Sequence, residues 1–178
     1  MPKPVKVAER NAVEDALSRC PPILGIDPGK NGGIVLLMAG LEFNVMPDTE
    51  RDIWDQLKKV REITKGSAVV YLEVVNGYQG EKTAAPGSRM FNFGWGYGGL
   101  RMAIIGNGLR LEEVRPQAWQ KALGIPPRKK REGETQTQWK NRLKAKAQQL
   151  FPEITVTLAI ADALLIAEYG KRKESGLL

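Results

Sequence analysis

The sequence predicts one α/β domain, because short apolar segments of strand length alternate with longer segments of helical periodicity. The chain has 178 residues, enough for one domain with a sizeable core, and 42% of them are hydrophobic. Its first strand-like segment, Ile23–Asp27, is followed by a glycine-rich turn and by a second apolar segment, Gly33–Met38. We therefore expect a strand–turn–strand unit whose first strand ends on an acidic residue.

Three further elements follow in the first half of the chain. Leu41–Pro47 is a predicted third strand, and its two-residue connection to the second favours an antiparallel hairpin. Thr49 is a candidate N-cap for an amphipathic helix that ends at Thr64. Ala68–Val75 is continuous, apolar and β-branched, which is typical of a buried central strand.

The second half alternates in the same way after a polar, glycine-rich loop. The predicted elements are a glycine-rich helix within the segment 90–101, a strand at 109–114, a short helix at 116–123, a helix at 135–150 and a buried helix at 158–169. No repeat or linker divides the chain into two domains.

Composition excludes several classes of site. The sequence has no histidine, so a Ser-His-Asp triad and histidine-based zinc sites are excluded. Cys20 is the only cysteine, which rules out an internal disulfide and fits a reducing compartment. The formal charge is +7, which favours a polyanionic partner such as nucleic acid. No apolar segment approaches the length of a membrane span, so no membrane partner is expected.

Three acidic residues stand in apolar surroundings at Asp27, Glu73 and Asp162. A carboxylate is expensive to bury unless it is paired or bound to a metal, and Asp162 falls within an almost wholly apolar helix. If the three cluster, a hard divalent cation such as Mg²⁺ would relieve their repulsion, and two such ions could cleave a phosphodiester. Alternatively, Asp27 merely opens a turn and Glu73 faces solvent at a strand end.

An aromatic segment and several basic positions form a candidate DNA-binding surface. Phe91, Phe93, Trp95 and Tyr97 alternate with glycines, which favours a glycine-rich helix packed closely on the sheet, with some rings exposed to stack on unpaired bases. The basic loop that follows Ile125 is either a solvated surface or a phosphate clamp. The candidate DNA-binding residues are Lys30, Lys82, Arg89, Phe91, Phe93, Trp95, Lys121, Arg128, Lys129, Lys130, Lys140 and Lys144.

Several motifs occur in a recognisable order and spacing. They are Gly25-Ile26-Asp27-Pro28-Gly29, Tyr71-Leu72-Glu73, Phe91-Asn92-Phe93-Gly94, Val114-Arg115-Pro116-Gln117-Ala118-Trp119, Lys144-Ala145-Lys146-Ala147-Gln148 and Ala161–Tyr169. In these motifs the sequence resembles the RuvC-type Holliday-junction resolvases of the ribonuclease H-like superfamily, in their phage and bacterial branch, which has chloroplast relatives. The resemblance covers roughly residues 23–170.

The resemblance implies a ribonuclease H-like fold, with a five-stranded mixed sheet and helices on both faces. It implies paired, symmetric cleavage of four-way DNA junctions with Mg²⁺ or Mn²⁺, two ions per active site, held by Asp27, Glu73 and Asp162. It also implies a homodimer, formed through the helix at 88–107, whose aromatic segment enters the junction. Together with this nuclease domain at 23–170, the residue pattern predicts an N-terminal arm or helix at 1–22 and a polar tail at 171–178. The expected location is the cytoplasm of a bacterial or phage-infected cell, or an organelle if the chain is a trimmed form.

The sequence departs from the family pattern at one point. The family usually has a fourth polar catalytic group one turn before the last aspartate, where this chain has Leu158 and Ala159. Either three acids suffice, or Glu168 or a nearby lysine substitutes, or the chain binds junctions without cleaving them. Another ribonuclease H-like nuclease activity is a further alternative. A sugar-kinase or actin-like ATPase is disfavoured, because 178 residues cannot supply the second lobe.

Overall fold

The computed structural model describes residues 20–38, 40–75, 87–129 and 132–178, without the side chains of 87–90. The predicted N-terminal arm, apart from its last three residues, lies outside the described residues, as do Lys82 and Lys130. Within the described part, no helix is long and apolar enough to cross a membrane.

The described elements alternate as the sequence predicts. The strands are β1 (Ile23–Asp27), β2 (Gly33–Leu37), β3 (Leu41–Val45), β4 (Val69–Glu73) and β5 (Arg110–Val114). The helices are α1 (Glu50–Thr64), α2 (Gly87–Gly106), α3 (Pro116–Ala122), α4 (Gln136–Leu150) and α5 (Leu158–Glu174). Local signals set several boundaries: the Thr49 side chain accepts a hydrogen bond from the Asp52 backbone, and Thr135 forms a capping box with Gln138.

The five strands form one mixed sheet in the order β3-β2-β1-β4-β5. β1, β2 and β3 pair antiparallel, whereas β1 pairs parallel with β4 and β4 pairs parallel with β5. The parallel pairs place the carboxyl ends of β1, β4 and β5 at one edge of the sheet. The predicted five-stranded mixed sheet is therefore confirmed.

Helices cover both faces of the sheet, each over its own core. On one face, Tyr71, Val35 and Ile23 pack in a cluster with residues of α3, α4 and α5. On the other, Leu24, Val70 and their neighbours pack in a second cluster with residues of α1 and α2. Successive strand residues point to opposite faces, so every second residue of β1 and β4 belongs to the same cluster.

Helix α5 lies unusually close to the sheet at Gly25. A Cβ atom added to Gly25 would stand 2.5 Å from the backbone nitrogen of Ala167 and 2.7 Å from its Cβ. A second glycine, Gly170 of α5, leaves room for the ring of Tyr71 in the same way. Glycine is required at both positions because another residue would push the helix away from β1 and β4.

Two sequence expectations need correction. The chain from Lys171 was expected to be a polar tail, but α5 continues to Glu174, whose carboxylate accepts hydrogen bonds from Tyr71 at 2.7 Å and from Arg110. The glycines of α2 were expected to bring that helix close to the sheet. Instead, a Cβ added at Gly94, Gly96 or Gly98 would meet no described atom within 4 Å, and Tyr97 together with residues from Leu100 onward makes the contact with the core.

Candidate metal and DNA-binding site

Asp27 and Glu73 end neighbouring parallel strands. The register pairs Ile26 with Leu72, so Asp27 and Glu73 occupy the next step of the same ladder. By the two-residue period of a strand, both side chains lie on the face that α5 covers, as Gly25 and Tyr71 do. A tight turn follows Asp27, with Gly29 at φ 123°, a conformation that favours glycine.

Asp162 comes from the second turn of α5 and is 5% exposed. The start of α5 lies against β2, where a Cβ added to Gly33 would stand 2.8 Å from the carbonyl oxygen of Ala159. This close approach brings Asp162 to the edge of the sheet that carries Asp27 and Glu73. The pKa shifts of those two residues show that all three carboxylates are electrostatically coupled.

Burial and mutual repulsion favour the protonated forms of two of these acids. Burial, with the nearby charge of Asp162, raises the pKa of Asp27 from 3.8 to about 7. Burial, with the charge of Asp27, raises the pKa of Glu73 from 4.5 to about 8. The folded chain therefore stores unfavourable electrostatic energy at neutral pH, which a bound cation would release.

Lys140 is the cation that the chain itself brings to these acids. Its ammonium group, on α4, donates a hydrogen bond to Asp162 Oδ2. Burial opposes its charged form, but the charges of Asp162, Asp27 and Glu73 outweigh burial and raise the pKa of Lys140. Glu168, the other proposed substitute for the missing polar group, instead accepts a hydrogen bond from Arg172 at 2.7 Å. Of the two substitutes that the sequence analysis left open, a lysine therefore contacts Asp162, whereas Glu168 is paired with Arg172.

Trp119 is a contact of the site that the sequence analysis did not assign. Its indole Nε1 donates a hydrogen bond to Glu73 Oε2 at 2.7 Å. This bond joins residues 46 positions apart, and Trp119 is 1% exposed. The sequence contains one indication of this contact: Trp119 lies in the helix directly after β5. It belongs to the motif Val114–Trp119, which was noted only because it resembles the family pattern.

The donor atoms suit a hard divalent cation. Asp162 Oδ1 is buried and has no hydrogen-bond partner among the described residues, which is unusual for a carboxylate oxygen and leaves it available to coordinate a metal. Carboxylate oxygens are the ligands that Mg²⁺ and Mn²⁺ prefer. Among the described residues, no group of three acidic or cysteine side chains is already spaced to hold a metal ion. The oxygen donors therefore suit a divalent metal ion, but the three acidic side chains would have to move closer together to coordinate it.

A cavity of about 640 Å³ opens next to Asp27. The β1–β2 turn with Lys30 lines it, together with Lys140, Leu158 and Ala159. Leu158 is 47% exposed there, at the position where the family usually has a polar group. A second cavity of about 940 Å³ lies between the same turn and α2, and Phe93 and Tyr97 line it.

The aromatic residues of α2 are largely exposed. Phe91 is 66% exposed and Trp95 63%, and their rings lie 6.0 Å apart between centroids. Trp95 Nε1 donates a hydrogen bond to Glu50 at 2.6 Å, which fixes this pair relative to α1. Phe93 is 36% exposed at the second cavity. The predicted exposed rings are therefore present on α2, and Phe93 shares a cavity with the turn that follows Asp27.

The basic residues divide between internal contacts and free surface. Arg128 donates to the Glu134 carbonyl and to Gln136 at 2.6 Å, and Lys129 pairs with Glu132 at 2.9 Å. Arg142 ties this loop to α4 through Glu134. Lys121 is exposed on α3, and Lys144 is half-buried on α4. DNA contact by these residues stays a prediction.

Comparisons with known proteins bear on the fold. Neither the family models nor the curated proteins contain a match for this chain. Among solved structures, T. thermophilus RuvC in complex with Holliday junction substrate is similar with a TM-score of 0.56 and 16% identity, over 88% of this chain and 94% of that chain. A second Thermus thermophilus RuvC structure is similar with a TM-score of 0.54 and 19% identity, over 87% and 96%. The protein therefore has the RuvC fold, of the ribonuclease H-like α/β class, as the sequence resemblance implied.

Proposed function

We propose that the protein is a metal-dependent endonuclease that resolves four-way DNA junctions by paired, symmetric cleavage. The observation that carries this proposal is the convergence of Asp27, Glu73 and Asp162 at one edge of a RuvC-type sheet. The structural relative solved with a Holliday junction supports branched DNA as the substrate.

Asp27, Glu73 and Asp162 are the residues that would hold Mg²⁺ or Mn²⁺, with two ions in the full site. Such an ion, when bound, supplies a polarised phosphodiester and an activated water. The carboxylates must be ionised to bind, and the raised pKa values of Asp27 and Glu73 mean that binding would release protons near neutral pH.

Lys140 has the clearest supporting role in this proposal. Its ammonium group offsets part of the negative charge of the three acids, and it lines the cavity beside Asp27. We place a phosphate oxygen of the substrate in that cavity, where Lys140 and Lys30 would stabilise its negative charge. Lys140 was predicted to bind DNA, and this position keeps that role while adding a contact to Asp162.

Junction selectivity would come from the surface around this cavity. The exposed rings of Phe91 and Trp95 can stack on bases that lack a partner at the crossover, because stacking needs no particular base sequence.

Paired cuts on opposed strands require two sites related by two-fold symmetry, hence a homodimer. An exposed apolar pair on α2 supports this assembly: Met102 and Ile105 lie three positions apart on one face of the helix, further along α2 than the two rings.

The decisive test is gel-resolved cleavage of a synthetic, strand-labelled four-way junction with Mg²⁺, with Mn²⁺ and with EDTA. A linear duplex of the same sequence is the control. We expect paired nicks near the crossover only with metal and only on the junction. Nicking of both substrates at equal rates would point to another ribonuclease H-like nuclease.

Three substitutions locate the chemistry. Asp27→Asn, Glu73→Gln and Asp162→Asn should each reduce cleavage by at least about 10³-fold, because each removes a metal ligand. Junction binding in a gel shift should change little. Near-normal cleavage by any one of these variants would remove that residue from the metal site.

A junction-binding protein without cleavage is the second candidate. It is favoured by Leu158 and Ala159 at the position of the usual polar group, and by the absence of a preassembled three-ligand arrangement among the described residues. In that case the junction would be retarded on a gel but never nicked. Leu158→Asp and Ala159→Asp would then test whether cleavage can be restored.

A further inference from the structure

The hydrogen bond between Trp119 and Glu73 has features that packing alone does not require. Trp119 belongs to a core cluster and is 1% exposed, so its ring is already held by apolar contacts. Its Nε1 nevertheless points at a carboxylate oxygen at 2.7 Å, a short distance for an N–H donor.

The backbone around this contact is set by strand pairing. Glu73 pairs with Val114 across β4 and β5, and Val74 N donates to Val114 O at 2.8 Å. Pro116 then begins α3 directly after β5 and carries Trp119 beneath the end of β4. The indole and the carboxylate are therefore both fixed by the same two strands.

The contact also gives the two carboxylate oxygens of Glu73 different roles. Oε2 accepts the indole hydrogen, which leaves Oε1 for a cation. A carboxylate with one oxygen fixed in this way loses little rotational freedom when it binds a metal ion. Residues that hydrogen-bond to a metal ligand and so orient it commonly affect metal affinity.

We infer that Trp119 is a positioning residue that orients Glu73 for divalent-metal binding through its indole N–H. This inference rests on the proposed function, since it takes Glu73 as a metal ligand. Trp119 acts on the metal only through Glu73 and touches neither substrate nor metal.

The test compares metal affinity in variants that lose the Trp119 N–H, with or without loss of ring volume, and in a variant that truncates another buried tryptophan. Mn²⁺ alone is titrated calorimetrically into wild-type protein, Trp119→Phe and a protein with benzothienylalanine at position 119. The last replacement keeps the shape of the indole but has sulfur in place of N–H. Trp139→Phe is the matched control, because Trp139 is 7% exposed in the same cluster and packs against Arg142.

We expect the Mn²⁺ dissociation constant to rise about 10- to 100-fold in both position-119 variants and to stay within about twofold in Trp139→Phe. Unchanged affinity in the benzothienylalanine protein would overturn the inference and assign the Trp119→Phe effect to packing. Failure of the wild-type protein to bind Mn²⁺ would overturn it as well.

Junction cleavage by the wild-type protein is measured in parallel to separate the inference from the proposed function. If the wild type cleaves and the position-119 variants bind Mn²⁺ normally, the inference fails and the function stands. If the wild type does not cleave but the variants lose Mn²⁺ affinity, the function fails and the inference stands.

Discussion

The three carboxylates of the site are largely buried, so solvent screens their mutual repulsion only weakly. They belong to Asp27, Glu73 and Asp162. Lys140 supplies only one positive charge against them. The consequence is a site that is electrostatically unfavourable in the metal-free protein at neutral pH. This imbalance gives stability a pH dependence that can be measured without any substrate.

The metal-free protein should lose stability as the pH rises from about 4 to about 8. Asp27 and Glu73 have raised pKa values in the folded state, about 7 and about 8, so the folded chain binds more protons than the unfolded chain within this window. Unfolding is therefore disfavoured at the acidic end and becomes easier as both groups ionise. Urea denaturation in EDTA at several pH values measures the slope.

Asp27→Asn should flatten this slope, since one of the two shifted groups is removed. Glu62→Gln, an exposed carboxyl on α1, should leave the slope unchanged. Added Mn²⁺ should also reverse the loss at pH 8 in the wild type, because metal binds only the ionised, folded site. Equal slopes in the wild type and Asp27→Asn would show that Asp27 ionises normally.

Lys140→Met should lower the free energy of unfolding by about 1.5–3 kcal/mol at pH 8 in EDTA, the usual contribution of a hydrogen bond to a charged group. Its loss leaves buried Asp162 without its cationic partner and raises the pKa of Asp27 and Glu73 further. Urea denaturation gives the value. Lys144→Met, one turn along α4, is the control and should change stability by less than about 0.5 kcal/mol.

At the residue scale, the sequence located the acids but not their partners. A carboxylate within an apolar segment stands out because burial without compensation is unfavourable, and this singled out Asp162 and Glu73. The partners are distant in sequence: Lys140 reaches Asp162 across 22 positions, and Trp119 reaches Glu73 across 46. No local pattern encodes such contacts, so only the fold reveals them.

At the scale of elements, the contact between β1 and α5 decides whether the acids meet. Gly25 permits that contact, and Gly33 permits the approach of the first turn of α5 to β2. Both glycines lie in segments where the sequence predicted ordinary strand residues. Their role depends on a helix more than 100 residues later, so it was not visible locally.

Gly25→Ala should destabilise the protein by about 3 kcal/mol or more, because the added methyl group would meet backbone atoms of α5 that cannot move independently. Thermal unfolding monitored by circular dichroism measures the loss. Gly40→Ala is the matched control, since a Cβ there meets nothing within 4 Å. Equal melting temperatures for the two variants would contradict the close packing of α5 on β1.

Helix α2 shows where element-level prediction failed. The glycines of its first half suggested close packing within the chain, whereas three of them have open space around them. An unpacked glycine costs a helix about 0.5–1 kcal/mol relative to alanine. The pattern identified the helix and its exposed rings correctly, but a sequence cannot show which neighbour a small residue faces.

For the whole molecule, the alternation of strands and helices was sufficient to predict the α/β class. The mixed five-stranded arrangement followed from the resemblance, and its confirmation required the coordinates. Dimer formation was the hardest property to predict from the residue pattern. Exposed apolar residues can be recognised only once the buried ones are known.

Ile105→Glu combined with Met102→Glu should convert a dimer into a monomer. Both side chains are more than half exposed, at 52% and 64%, and a carboxylate buried at an interface between two copies of α2 would be unpaired. Sedimentation equilibrium of the wild type and the double variant measures the mass. Met38→Glu, an exposed apolar position on the β2–β3 turn, is the control. A wild-type monomer at micromolar concentration would contradict this assembly.

The position of α5 in the chain also has a consequence during synthesis. Asp27 and Glu73 leave the ribosome well before Asp162, and the face of β1 that carries Gly25 stays uncovered until α5 arrives. A nascent chain without α5 therefore holds only part of the acidic set and lacks the helix that closes its core. The complete set of three carboxylates therefore forms only after translation has passed residue 162.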